Sequence, residues 1–158
     1  MLTVALLLSL CFQPPAAAPA LTVSFGDPVQ EVKLTKEALA KLPRKSIKIT
    51  EGNGKDAEYE GIPLDEVLKL AKVPMGNELR GRSVAPMVVI ADANDGARAV
   101  YALAEVEPSF SDKLILLADK RDGQSLNADE GPFRMIIPSD KRHARWLRQV
   151  KGLTVKKL

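Results

Sequence analysis

The stretch Ala85–Leu103, APMVVIADANDGARAVYAL, decides the fold class. Its first half, Ala85–Ala93, is almost entirely apolar and rich in β-branched residues, which is typical of a strand buried on both faces or nearly so. Asn94-Asp95-Gly96 is a hairpin turn signal, and Ala97–Leu103 follows as the partner strand. The pattern therefore predicts an antiparallel hairpin whose first strand lies in the core.

Short strands and short helices follow one another without regular alternation in the rest of the chain. Thr35 predicts the N-cap of a short helix at 36–41, a 3.6-residue apolar period predicts a helix that starts after Pro63, and 139–148 predicts one or two helical turns. Further strands are predicted at 21–25, 29–34, 46–50, 57–62, 114–118, 133–137 and 152–156. This order favours a single domain of α+β class with a mixed β-sheet over a Rossmann-type fold.

The N-terminal residues 1–20 have the pattern of a signal peptide. They carry no acidic or basic side chain, and Leu2–Phe12 is apolar but shorter than the roughly 20 residues that a membrane-spanning helix needs. Small residues at Ala18-Pro19-Ala20 predict cleavage after Ala20 and export to the periplasm or the extracellular space. The alternative is an uncleaved anchor, because the segment lacks Lys and Arg. Cleavage would leave the domain at 21–158 without its only cysteine, Cys11, and without membrane association.

Charge and composition argue against a nucleic-acid partner. The chain has 23 Lys and Arg against 20 Asp and Glu, a formal net charge of +3. Four Phe, two Tyr and one Trp also offer few rings on which bases could stack.

The common catalytic constellations are missing from the sequence. His143 is the single histidine, so a site with several histidines is excluded, as is a Cys/His couple in the mature chain. No Gly-x-Ser-x-Gly elbow presents a serine, and Gly52-Asn53-Gly54 lacks the rest of a phosphate-binding fingerprint.

Two groups of charged residues are candidate binding sites. The acidic group could bind a hard cation through oxygen ligands or could belong to solvated turns; it comprises Asp92, Asn94, Asp95, Asp119, Asp122, Asp129 and Glu130. The basic group surrounds Trp146 and could hold an anion or a phosphorylated cofactor through guanidinium forks. The alternative for it is a solvated face with Trp146 in the core. Its members are Arg134, Lys141, Arg142, Arg145, Arg148 and Lys151.

Four segments together resemble the molybdopterin-binding domain of the sulfite oxidase family. They are YEGIPLDEVL at 59–68, ADANDGARAVY at 91–101, GPFRMIIP at 131–138 and ARWLRQV at 144–150. They occur in the family's order, and the likeness extends from about Leu34 to the C-terminus.

The resemblance implies a sulfite-oxidase-type mixed fold and a site for a molybdenum cofactor, molybdopterin, whose phosphate is held by basic and backbone groups. It places the cofactor-binding site at the hairpin and the closing motif, with Asn94, Asp95, Arg98, Arg134, Lys141, Arg142 and Arg145 as its residues. On this hypothesis Arg134→Ala weakens binding of an anion or cofactor and leaves the fold intact. A structural alternative is that Asp95 and Arg98 only stabilise their turn, while Arg134 and Glu130 stand too far apart on an extended edge for a strong contact.

The sequence departs from the family where the resemblance implies a cysteine ligand to molybdenum. That segment is Lys48–Asn53, KITEGN, which has no sulfur donor. We therefore expect an exported domain without standard molybdenum catalysis, which acts as a binding module for a small ligand, an anion or a protein partner. The alternative is a functional molybdopterin-dependent oxidoreductase or a subunit of one. A third possibility is an interaction protein whose cleft is filled by Tyr101, Trp146 and their neighbours.

Overall fold

The computed structural model describes residues 20–79 and 81–158, which form two five-stranded β-sheets with short helices at their ends. The predicted signal peptide lies, apart from Ala20, outside the described residues. Among the helices of the described part, none combines the length and the apolar character that a membrane crossing requires.

The first sheet joins the two ends of the described chain. Its strands lie in the order β2-β1-β10-β5-β6, and their bounds are β1 Leu21–Phe25, β2 Gln30–Leu34, β5 Met87–Ala93, β6 Arg98–Ala102 and β10 Val150–Lys157. β1 and β10 are parallel, with Thr22 opposite Gly152 and Phe25 opposite Val155. The other pairs are antiparallel, so the sheet is mixed.

The second sheet is antiparallel and is built around β7. Its strands are β3 Lys45–Thr50, β4 Asp56–Pro63, β7 Leu116–Arg121, β8 Gln124–Ser125 and β9 Arg134–Ile136. β4 lies between β3 and β7, while both β8 and β9 pair with β7. The register places Tyr59 of β4 opposite Arg121 of β7.

Helices are short and connect the strands. α1 spans Lys36–Ala40, α2 spans Leu64–Leu70 and α3 spans Leu103–Val106, with single 3-10 turns at Gly76–Glu78, Gly81–Ser83 and His143–Arg145. The Thr35 hydroxyl accepts a hydrogen bond of 3.2 Å from the Ala38 amide, which caps α1 as expected for threonine at this position. The buried face of α2 presents Leu64, Val67 and Leu68 to the core.

One hydrophobic core contains residues of both sheets and of α2. Alternate residues of β1 face it, and Tyr59, Tyr101 and Met135 have no measurable exposure. Period-two alternation in strands therefore sets which side chains the two sheets bury against each other.

The predicted α+β class with mixed sheets agrees with this architecture, and the hairpin around Asn94-Asp95-Gly96 is confirmed. A strand boundary of the prediction is wrong. The strand predicted at 114–118 runs over Leu116–Arg121, because the turn is made by Asp122 and Gly123 alone, both at positive φ. The 3-10 turn His143–Arg145 is the helical turn predicted within 139–148, and β5 is buried apart from Met87, Ile90 and Asp92, which are partly exposed.

Gly61 marks the closest approach between β4 and β7. A Cβ atom at this position would stand 2.5 Å from the Cα of Ala118 and closer still to the carbonyl oxygen of Leu117. These are backbone atoms that cannot move without disturbing the ladder between the strands, where the register also shifts between Glu60 and Gly61.

We predict that Gly61→Ala lowers the free energy of unfolding by about 3 kcal/mol or more, because it overpacks a backbone contact. Gly52→Ala is the matched control, since a Cβ at Gly52 would meet nothing within 4 Å, and it should change stability by less than about 0.5 kcal/mol. Urea unfolding of the two variants measures the difference. Equal stabilities would contradict the close packing of β4 on β7.

Candidate functional site

The segment Lys48–Asn53, where the resemblance implies a cysteine ligand, forms the end of β3 and the start of the turn to β4. The Thr50 hydroxyl is exposed and donates a hydrogen bond of 2.7 Å to Asp56 Oδ1. The neighbouring Glu51 side chain is only 13% exposed. The turn therefore directs a hydroxyl toward solvent and a carboxylate toward the protein interior.

Both oxygens of the Glu51 carboxylate are held by neighbouring side chains. Oε1 accepts a hydrogen bond of 2.6 Å from the Tyr59 hydroxyl, and Oε2 accepts one of 2.7 Å from Arg121 Nη2. Tyr59 and Arg121 face each other across the β4–β7 ladder. Strand register therefore places a hydroxyl and a guanidinium together at the carboxylate.

Arg134 approaches the same carboxylate from β9. Its side chain is 7% exposed, and its Nη1 donates to the Tyr59 hydroxyl at 2.6 Å and to Glu130 Oε1 in a short ion pair. The same Nη1 lies 3.8 Å from Glu51 Oε1. Arg134 thus bridges β9, β4 and the turn that carries Glu130.

We call Glu51, Tyr59, Arg121, Glu130 and Arg134 the interior charge cluster. Its two guanidinium groups balance its two carboxylates, so the cluster is neutral as a whole. Burial, and then the hydrogen bond to Glu51, raise the pKa of the Tyr59 hydroxyl far above its usual range, which keeps it a neutral donor. Both guanidinium groups also lie over the Tyr59 ring, 5.7 Å and 5.2 Å from its centroid.

The hairpin residues predicted to bind a cofactor lie at the exposed end of the first sheet. Asp95 Oδ1 accepts a hydrogen bond of 2.9 Å from the Ala97 amide, and Arg98 Nε lies 2.6 Å from Asp92 Oδ1. Asn94 is exposed, and its backbone amide donates to the Gln149 carbonyl. Asp95 and Arg98 stabilise their own hairpin here, as the structural alternative expected.

Residues of the closing motif lie elsewhere. Lys141 and Arg142 are exposed, and neither forms an ion pair with any carboxylate of the described chain. Arg145 binds Asp140 at 2.8 Å and Glu105 at 3.3 Å. These carboxylates, Asp140 foremost, raise the pKa of the Arg145 guanidinium.

The predicted site residues do not contact one another as one cluster, although Arg134 and Arg145 both lie near Trp146: the Arg134 guanidinium carbon is 6.0 Å from its ring centroid, and Arg145 precedes it in the chain. Asn94, Asp95 and Arg98 lie at the start of β6, whereas Arg145 lies beside Tyr101 near the other end of that strand, where the Tyr101 hydroxyl donates to its carbonyl at 2.5 Å. Arg134 is in the interior, with its partners already described. That any of these residues contacts a cofactor stays a prediction.

Trp146 belongs to the core. This agrees with the second interpretation of the basic group, in which its charges form a solvated face and Trp146 is buried. It is 5% exposed and stacks on His143 with ring centroids 3.6 Å apart. Tyr101, the other aromatic residue expected to fill a closed cleft, is fully buried. Within the described residues, two buried nitrogen atoms have no hydrogen-bond acceptor, Arg134 Nε and Trp146 Nε1.

The acidic group is distributed over turns and ion pairs. Asp92 binds Arg98, Asp119 binds Arg44, and Asp122 Oδ1 accepts a hydrogen bond of 2.9 Å from the Glu58 amide. In the part of the chain that the structure describes, no three His, Cys, Asp or Glu side chains converge as a metal site would require. Asp95 and Asp122 thus lie in turns, Asp92 and Asp119 form ion pairs, and Glu130 is buried beside Arg134.

Sequence reasoning missed Glu51, Tyr59 and Arg121 as parts of a site. Tyr59 lies in the strand predicted at 57–62, but Arg121 lies beyond the end of the strand predicted at 114–118, so the sequence did not predict that the two would pair. The expected distance between Arg134 and Glu130 is also wrong. The chain turns at Asn127–Gly131, where the Glu130 and Gly131 amides donate to the Asn127 carbonyl, and this turn brings Glu130 beside β9.

The residues at this place do not fit a thiolate-ligated molybdenum centre. No cysteine stands in Lys48–Asn53, and the Glu51 carboxylate is a hard oxygen donor rather than a soft sulfur one. Both Glu51 oxygens are already hydrogen-bonded, and the arginines beside them would repel a cation.

We predict that Arg134→Met destabilises the protein by about 3 kcal/mol, because it leaves Glu130 buried without its closest cation. This differs from the expectation from sequence that removal of Arg134 leaves the fold intact, and the reason is its burial. Arg142→Met is the matched control and should change stability by less than about 0.5 kcal/mol. Thermal and urea unfolding measure both, and similar effects of the two substitutions would show that Arg134 is not structural.

Comparison with known proteins assigns the family. A family model described as the oxidoreductase molybdopterin binding domain matches residues 24–157, which is nearly the whole described chain. None of the curated proteins compared with the chain matches it. The matched range includes every strand of both sheets except the first three residues of β1, and it includes every member of the interior charge cluster. The chain therefore belongs to the oxidoreductase molybdopterin-binding domain family.

Proposed function

We propose that this protein is an exported member of its family that does not carry out thiolate-dependent molybdenum chemistry and serves instead as a binding module for a small ligand, an anion or a protein partner. The observation that carries the proposal is that the Glu51 carboxylate is fully hydrogen-bonded within the protein. It lies in the segment where the resemblance implies a metal-binding cysteine, and both its oxygens are bound by Tyr59 and Arg121.

The energetic cost of buried charges supports a structural role for the interior charge cluster. A buried charge is tolerated when its partners compensate it, and removal of one partner exposes the full cost of desolvation. A metal ion at Glu51 would displace Tyr59 or Arg121 and leave an arginine uncompensated next to Arg134. The cluster is therefore better suited to holding β4, β7 and β9 together than to exchanging ligands.

A sulfite-oxidase-type fold is part of the same proposal. The family match supports it, as do the mixed first sheet and the closing strand β10, which brings the end of the family region beside β1. Burial of Tyr101 and Trp146 supports a cleft that is at least partly filled by side chains.

The competing function is that of a molybdopterin-dependent oxidoreductase or a subunit of one. The observation in its favour is the family match over residues 24–157, whose description names molybdopterin. Metal analysis separates the two functions.

We predict that the protein, purified from its native compartment, contains no stoichiometric molybdenum. The reason is that the segment Lys48–Asn53 offers no thiolate to anchor the metal. Mass spectrometry of the metal and fluorescence of the oxidised pterin measure the content, with a cysteine-ligated family member from the same cells as positive control. Stoichiometric molybdenum with oxidation or reduction of an oxyanion would contradict the proposal.

Export makes a separate prediction. Mass spectrometry of the protein from its native host should find an N-terminus at Leu21, because Ala18-Pro19-Ala20 offers small residues to a signal peptidase. Ala18→Leu together with Ala20→Leu should block this cleavage and leave the protein membrane-bound. An intact N-terminus on the soluble native protein would contradict export through a cleaved signal.

A further inference from the structure

A cleft of about 310 Å³ lies between α1 and the β7–β8 hairpin. Leu39, Leu126 and Phe133 supply its apolar lining, and two of them, Leu39 and Phe133, are almost fully buried. Its remaining lining residues are Lys36, Ala40, Asp119, Lys120, Ser125 and Pro132. The volume is at the lower end of the range for small-molecule sites, roughly 300–1,000 Å³.

Most charges at the rim of this cleft are already neutralised. Asp119 is bound by the Arg44 guanidinium, and Lys120 Nζ lies 3.3 Å from Glu60, which Arg44 also binds at 2.6 Å. These four side chains, two cations and two anions, sum to zero. The hydrogen bond to Asp119, and then the one to Glu60, raise the pKa of Arg44, which agrees with a tight network.

Lys36 is the cation left over at this rim. It is exposed and forms no ion pair with any carboxylate in residues 20–79 and 81–158. Ser125, on the opposite wall, has a hydroxyl with no hydrogen-bond partner among the same residues. The cleft thus offers one positive charge without an ion pair, one hydroxyl and an apolar floor.

We propose that this cleft binds a small carboxylic acid with an apolar body. The carboxylate lies at Lys36 and the Ser125 hydroxyl, and the hydrocarbon part covers Leu39, Leu126 and Phe133. This inference rests on the proposed role as a binding module and gives that role a ligand class. The lining includes Pro132 and Phe133, next to Arg134 in the chain, but none of the residues that the family resemblance predicts to bind a cofactor.

Inorganic oxyanions fit the cleft less well. A phosphate or sulfate would leave the apolar floor uncovered and would meet one uncompensated cation with Asp119 nearby. A neutral apolar molecule would cover the floor but leave Lys36 without a counter-ion. Only a molecule with both a negative charge and an apolar body pairs with Lys36 and covers the apolar floor.

Titration of the purified protein with phenylacetate, followed by NMR of the backbone amides, tests the proposal. Saturable shifts should map to α1 and to the β7–β8 hairpin. 2-Phenylethanol has the same ring without the charge, and acetate has the charge without the ring, so each should bind at least about fivefold more weakly.

Variants locate the site without touching the core. Lys36→Gln removes the charge and should weaken phenylacetate binding about fivefold, whereas Lys41→Gln, at the opposite end of α1 and outside the cleft lining, should leave it unchanged. Ala40→Leu keeps all charges and fills the cleft, so it should also weaken binding. Unfolding curves of the variants check that each one is folded.

Two results would overturn the proposal: no saturable shift with phenylacetate, or equal binding by the native protein, Lys36→Gln and Ala40→Leu. The outcome is separable from that of the proposed function. Molybdenum in the native protein together with phenylacetate binding here would reject only the proposed function. A metal-free protein that ignores phenylacetate would reject only this inference.

Discussion

The buried contact of Arg134 with Glu130 and Tyr59 is the interaction on which the second sheet and its loops depend. It connects β9 to β4 and to the turn at Asn127–Gly131. The Tyr59 hydroxyl in turn donates a hydrogen bond to Glu51. Each ion in this group is compensated by at least one other. Such a group is costly to disrupt, because loss of one member leaves another charged and without water.

This constraint bears directly on function. A basic residue in the closing motif of a molybdopterin-binding family is a natural candidate for holding an anion, and Arg134 was predicted to do so. In the structure its Nη1 is already shared between a carboxylate and a hydroxyl, and its side chain is 7% exposed. A residue type suited to ligand binding has here become part of the interior.

Sequence reasoning predicted the elements whose signals are local. The hairpin at Asn94-Asp95-Gly96, the cap at Thr35 and the helix after Pro63 each depend on a few neighbouring residues. The interior charge cluster could not be predicted in this way, because it depends on which strands pair and in which register. Tyr59 meets Arg121 only once β4 lies beside β7. Similarly, the parallel pairing of β1 with β10 joins residues more than a hundred positions apart, which no local pattern encodes.

A double-mutant cycle on Glu130 and Arg134 tests most directly whether the interior charge cluster is structural. The free energy of unfolding would be measured for the native protein, for Glu130→Gln, for Arg134→Met and for the double variant. A structural pair predicts that the double variant is more stable than the sum of the single losses implies, by at least about 1 kcal/mol. Additive losses would contradict the account, since they would mean that the two side chains do not depend on each other.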